Sequence, residues 1–194
     1  ETLTAGSAVT VTWQMPLPQP GASFRLEASA ACVPSDGFYD NVESGSAGWT
    51  TLHGPGVSLW SLSNADAHSP SHSWFARNVD SVSDQFLVSQ PITPTTGAEL
   101  AFWQRYDLEA SGYDSGRGYD GGVVEVSVDN GVTWSDMGAN FTQNGYNRTI
   151  SDSFNNPLGG RQAFSGDSDG WIESRADLAA WAGQPIRLRF RLGT

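Results

Sequence analysis

Along much of this chain apolar residues recur at every second position. The runs that carry this alternation are VTVTW (Val9–Trp13), SFRLEAS (Ser23–Ser29), SWFAR (Ser73–Arg77), DQFLVS (Asp84–Ser89), ELAFWQRYDL (Glu99–Leu108), GVVEVSV (Gly122–Val128) and IRLRFRL (Ile186–Leu192). Side chains alternate between the two faces of a strand, so period two predicts strands that bury one face. In the last run Ile186, Leu188, Phe190 and Leu192 share one face, and Arg187, Arg189 and Arg191 the other. In Gly122–Val128 the valines 124, 126 and 128 oppose Glu125 and Ser127, which predicts a half-buried strand. Helical periodicity is nearly absent; Arg175–Trp181 is the best candidate, and it is short enough for one turn or two. With 22 Gly and 10 Pro between the runs, the pattern predicts an all-β sandwich of antiparallel sheets.

Residues 1–33 differ from the rest. Two strands there flank the proline-rich turn MPLPQPGA (Met15–Ala22). A lone hairpin is not stable by itself, so 1–33 is expected to be the end of a preceding β domain or an arm packed on the sandwich. The boundary is placed near Pro34, with residues 34–194 as the sandwich domain. A length of 194 residues, 38% hydrophobic and 11% aromatic with eight Trp, supports one sizeable β core. A start at Glu1 rather than Met is expected of a piece of a longer protein. No apolar run approaches the roughly 20 residues of a membrane-spanning helix, so no membrane insertion is expected.

Charge narrows the partners. Twenty-one acidic residues oppose ten basic ones, all of them Arg, for a net charge of -11. That balance argues against nucleic acid and anionic membrane surfaces as partners. It leaves carboxylates over for a hard cation and suits a secreted protein. Cys32 is the single cysteine, so no intrachain disulfide forms. A secreted β protein without disulfides stabilises its loops another way, and calcium is the expected cofactor.

Candidate chemistry lies in the turns. Ser127-Val128-Asp129-Asn130-Gly131-Val132-Thr133-Trp134 matches the Asp-box pattern S-x-D-x-G-x-T-W at each fixed position. Its carboxylate is expected to accept turn N–H groups, Gly131 to take positive φ and Trp134 to fold back, which is a structural role. Asp120-Gly121-Gly122 and Asp40-Asn41-Val42-Glu43 instead place carboxylates beside backbone oxygens, the mixture calcium takes in six- to eightfold coordination. Enzyme chemistry finds little support. His68 and His72 are four apart, but Pro70 lies between them and no Glu follows His68, against the metalloprotease helix motif. Cys32 has no His near it, and no G-x-S-x-G elbow is present. Trp49, Trp60, Tyr113, Tyr119 and Tyr146 fall in or beside expected loops. The polar loop Ala110–Tyr119, with Tyr113 and Tyr119 as candidate ligand-binding residues, is the expected binding edge.

The succession FYDNVESGSAGWT, HSPSHSWFA, SDQFLVSQPI, LAFWQRYDLE, YDGGVVEVSVDNGVTW, AFSGDSDGW and WAGQPIRLRFRLGT resembles one family over roughly Gly37 to Thr194. It is similar to the calcium-binding jelly-roll modules of secreted bacterial metalloproteases of the immune inhibitor A type. Those modules are related in form to gingipain cleaved-adhesin modules, MAM domains and reelin subrepeats. The resemblance implies a jelly roll with bound calcium, Glu43 and Asp120 as leading ligands, and Asp40 and Asp66 as further ones. Family members usually continue into a final strand bearing W-x-x-D-D, so a last strand and one acidic ligand are expected to be missing here. The function implied is a non-catalytic, calcium-stabilised accessory module of a secreted bacterial protein, expected to be a protease. As a monomer it would contact a protein or polysaccharide ligand, a surface or the neighbouring catalytic domain. The alternative is a carbohydrate-binding module of a secreted glycoside hydrolase.

Overall fold

The computed structural model describes residues 38–56, 60–68 and 70–194. The hairpin expected over 1–33, the boundary near Pro34 and Cys32 lie outside the described residues. In chain order the strands are β1 (Trp49–His53), β2 (Ser61–Ser63), β3 (Ser73–Phe75), β4 (Asp84–Ser89), β5 (Glu99–Gln104), β6 (Arg117–Gly118), β7 (Gly121–Ser127), β8 (Ser135–Asp136), β9 (Phe141–Gln143), β10 (Arg148–Ile150), β11 (Gln162–Ala163), β12 (Ile172–Asp177) and β13 (Arg187–Gly193). Among the described residues there is no α-helix. The candidate at Arg175–Trp181 is instead the end of β12 followed by a single 3₁₀ turn, Ala179–Trp181.

The fold is an all-β sandwich. One antiparallel sheet runs β1-β4-β13-β7-β8 and a second runs β5-β12-β9. Val124, Val126, Leu188 and Phe190 of the first pack against Leu100, Phe102, Phe141 and Ala176 of the second. The pairs β4–β13 and β5–β12 nest, so strands early in the chain lie beside late ones. A small sheet, β11-β10-β6, sets Ile150 and Ala163 against Val123 on the opposite face of β7. β2 and β3 form a hairpin of their own.

That small sheet corrects one expectation. β7 is not half-buried: Glu125 and Ser127 are 3% and 1% exposed, Ile150, Leu158 and Ala163 pack on Val123 of the same face, and Arg161 reaches Glu125. The arginine face of β13 is covered as well. Glu125 accepts from Arg189 Nε at 2.6 Å, Arg161 Nη1 at 2.7 Å and Arg191 Nη1 at 3.3 Å. Asp84 holds Arg191 by two bonds of 2.7 and 2.9 Å, and Asp136 pairs with Arg161. The Arg189 guanidinium also lies over the Phe86 and Trp134 rings, 4.7 and 4.3 Å from their centroids. Burial pushes the Glu125 carboxyl up, but Arg161 and Arg189 outweigh it and hold the group below its ordinary range. Three guanidinium groups thus neutralise three carboxylates, Glu125 and Asp84 buried and Asp136 at the surface.

The turn after β7 is closed by its own side chains. Asp129 accepts Thr133 N at 2.9 and 3.0 Å and the Thr133 hydroxyl at 2.6 Å. Ser127 Oγ accepts Gly131 N at 2.8 Å, Gly131 takes φ 95, and Trp134 Nε1 donates back to Gly131 O at 3.1 Å. The strand ends at Ser127, so Val128 turns outward, 49% exposed.

Candidate functional site

One end of the inner face of the five-stranded sheet turns polar. Ser83 and Thr194 exchange both backbone bonds at 3.1 Å, and their hydroxyls meet at 2.8 Å. On β7, Asp120 lies one step before Gly121, the partner of Gly193. Ser83, Gln85, Thr194 and Asp120 are 1%, 0%, 7% and 8% exposed. Gln85 Nε2 donates to Arg77 O at 2.8 Å and Ser83 Oγ at 3.2 Å, while its Oε1 accepts nothing from the described residues. The side chain of Asn78, the residue after Arg77, favours the charged form of the Asp120 carboxyl. Burial pushes Asp120 up to about 6; Asn78 opposes this and the negative charge of Glu109 adds to it. The adjacent glycine serves packing, since a Cβ on Gly121 would lie 2.5 Å from Ile150 Cδ1 and 2.9 Å from Ala163 Cβ.

The other three expected metal ligands are engaged elsewhere. Glu43 Oε1 accepts Ser71 N at 2.9 Å and His72 N at 2.7 Å. Its Oε2 takes the Ser71 hydroxyl at 2.6 Å and His72 Nδ1 at 2.9 Å. Led by the Ser71 and His72 side chains, these bonds hold Glu43 down at about 2. Asp40 caps Val42 N at 2.7 Å and accepts Trp49 Nε1 at 2.6 Å. Val42 itself sits at φ 66, where a β-branched residue is strained, so the Asp40 and Glu43 bonds hold this turn against its own preference. Asp66 pairs with Arg105 at 2.6 Å and accepts Trp171 Nε1 at 3.3 Å.

Calcium draws on six to eight oxygens. Among the described residues no three of His, Cys, Asp or Glu converge. Glu43, Asp40 and Asp66 already spend their oxygens on N–H and O–H donors. The charged form of Asp120 is also favoured by Asn78 and the Glu109 backbone, but the group is desolvated and has no cationic partner among the described residues, and the unpaired Gln85 acceptor lies in the next row of the same buried face. A carboxylate that burial disfavours and an orphaned amide oxygen fit a cation. Asp120, Asn78 and Gln85 are the side chains that would hold it, and Asn78 and Gln85 were missed because amides carry no motif in the sequence.

The 110–119 loop is ordered by its own bonds. Ser111 Oγ accepts Asp114 N at 3.0 Å, Asp114 caps Gly116 N at 3.0 Å, and Ala110 bridges Gly118. Tyr113 stands fully exposed at its tip, and Tyr119 meets Phe154 edge to face at 5.4 Å. Two other loop candidates are structural. Trp49 belongs to β1 and packs on Phe38, Trp74 and Phe190. Tyr146 OH donates to Val124 O at 3.0 Å and accepts Val124 N at 2.8 Å, which closes β7 where β8 ends. A different aromatic group was overlooked. His68 stacks on Trp103 at 3.8 Å and 13°, and Trp171 stands beside His68 at 6.2 Å. The signal was present, because Leu100 and Phe102 point inward and Trp103 therefore falls on the polar face of its strand.

A stretch of 42 residues, 22% of this chain, is 48% identical to the Pre-pro-metalloprotease PrtV of Vibrio cholerae serotype O1, in strain M66-2 and in strain ATCC 39315 / El Tor Inaba N16961 alike. The chain spans 4% of the length of these curated relatives. No family model matches, and no solved structure does. The likeness is partial and is compatible with an accessory segment of a protease. No helix among the described residues is long and apolar enough to cross a membrane.

Proposed function

We propose that this chain is a non-catalytic, calcium-stabilised jelly-roll module of a secreted bacterial metalloprotease, contacting substrate, a surface or the catalytic domain. The partial identity with the PrtV precursor carries the reading. The nesting of β4–β13 and β5–β12 across two sheets supports the jelly roll, and the Asp120–Asn78–Gln85 group supports calcium. Calcium bound there would supply charge to offset Asp120 and join the 77–78 segment to the end of the sheet. Glu43, with four donors on one carboxylate, clamps Ser71 and His72 in the same stretch of chain.

The experiment compares thermal melts of the chain with calcium and with chelator, alongside assays on casein and gelatin. Binding to the native state alone adds about 2.7 kcal/mol at a hundredfold excess over Kd. Calcium should therefore raise the melting temperature by several degrees, and Asp120→Asn should abolish that rise. Both substrates should remain intact. Melts that coincide after verified metal removal would refute the calcium assignment, and reproducible proteolysis would refute the accessory role.

A further inference from the structure

The outer face of the β5-β12-β9 sheet carries an aromatic wall beside a fixed row of charges. Leu100 and Phe102 point into the core, so Glu99, Ala101 and Trp103 point out. Trp103 keeps 46% of its surface exposed. His68 stacks on its ring, and Asp66 nearby in sequence joins Arg105 and Trp171. The next outward position along β5 is Ala101, a small exposed residue that puts only a methyl group beside the ring. Across the ladder Glu173 is paired with Trp103, and Arg175 with Ala101. Arg175 reaches Glu99 at 2.8 Å and holds both Glu173 oxygens, at 2.8 and 3.1 Å. These charged groups are a quarter to two-fifths exposed, so they keep hydrogen-bonding capacity toward solvent.

We infer that this face is a binding site for a neutral polysaccharide, with one pyranose ring stacked on Trp103 above Ala101 and its hydroxyls bonded to Glu173 and Arg175. A sugar presents an apolar C–H face and a rim of hydroxyls that donate and accept at once. The wall offers the first a rigid ring, and the row offers the second paired acceptors and donors held in place by each other. The carboxylates beside the ring and the net charge of -11 exclude polyanionic glycans. The proposal deepens the accessory-module reading by naming a ligand class, and it uses residues apart from Asp120 and the 110–119 loop.

The test is electrophoresis of the full 194-residue chain through gels containing glucomannan, galactomannan, xylan or β-1,3-glucan, with pull-downs on cellulose, chitin, casein and gelatin. At least one neutral polysaccharide should retain the wild type. Trp103→Ala should weaken that retention about tenfold, the scale of one lost aromatic stack, and Trp103→Phe should keep part of it. Ala101→Gln, at an exposed position where folding is not at stake, should block the ring face and weaken binding similarly. Val132→Ala, at an exposed position in the turn after β7, should change nothing. The proposal is overturned if no polysaccharide retains the chain, if retention survives both Trp103→Ala and Ala101→Gln, or if these variants lose casein or gelatin instead. Proteolysis in the same preparations would refute the accessory role and leave sugar binding standing, so the two failures are distinguishable.

Discussion

Glu125→Gln keeps the shape of the most connected buried side chain and removes its charge. In the wild type Glu125, Asp84 and Asp136 balance Arg161, Arg189 and Arg191. After the substitution Arg161 keeps Asp136 and Arg191 keeps Asp84, but Arg189 is left with the Phe86 and Trp134 rings. Its side chain is 14% exposed, so that positive charge stays largely out of water. Removing one partner of a buried ion pair costs about 3–5 kcal/mol. For a domain of this size that lowers Tm by about 6–20 °C. Because Glu125 is held below its ordinary range, its contribution is present above the unfolded value and is lost as pH falls through the folded one. The deficit should therefore be complete at neutral pH and shrink in acid. Calorimetric or circular-dichroism melts measure it directly. The double variant Glu125→Leu/Arg189→Met should recover much of the loss, since apolar replacement of a whole pair is close to neutral. A Glu125→Gln melt within about 2 °C of wild type, or a double variant worse than the single, would refute the reasoning.

Other consequences can be checked on the same protein. Asp120 has its folded pKa raised to about 6 from 3.8, so the native state binds the extra proton. Metal-free protein should therefore gain stability as pH falls from about 6 toward 4, and Asp120→Asn should remove that slope in a pH series of melts. Asp129→Ala should lower Tm by taking away the three Thr133 bonds yet leave polysaccharide retention unchanged; lost retention at an unchanged Tm would make the turn a binding site. Gly118→Ala should destabilise by about 1–3 kcal/mol in denaturant titrations, because its Cβ would run into Ser165 Oγ and lie 2.7 Å from Ser165 Cβ.

The strands that are legible in the sequence are those whose inward residues are large. β5, β7 and β13 place large apolar residues at every second position and β4 carries the run Phe86-Leu87-Val88, and each lies within a few residues of the bounds its pattern predicts. The end of β12 falls in the stretch Arg175–Trp181 that reads as helix, and the strand's buried positions Ser174 and Ala176 are too small to show a period. The second buried face of β7 is hidden for another reason. Glu125 reads as solvated until its register with Arg189 is known, and the residues packed on that face arrive from the stretch β10 to β11. Asp120 is found from its glycine neighbours, although Gly121 is small for packing rather than for metal access. The Asp120–Gln85 row is not visible, since it depends on β13 lying between β4 and β7.

That placement of β13 also sets an order of events during synthesis. β4 and β7 pair with residues 187–193 and not with each other. Until those residues leave the ribosome, both strands present unpaired edges, and the row at Ser83 and Asp120 lacks Thr194. Contacts spanning from about a third to over half of the chain must close together, which makes for slow folding and a nascent state prone to edge-to-edge association. A chaperone or translocation machinery that holds the chain extended until residue 194 emerges would suit this topology better than folding in stages.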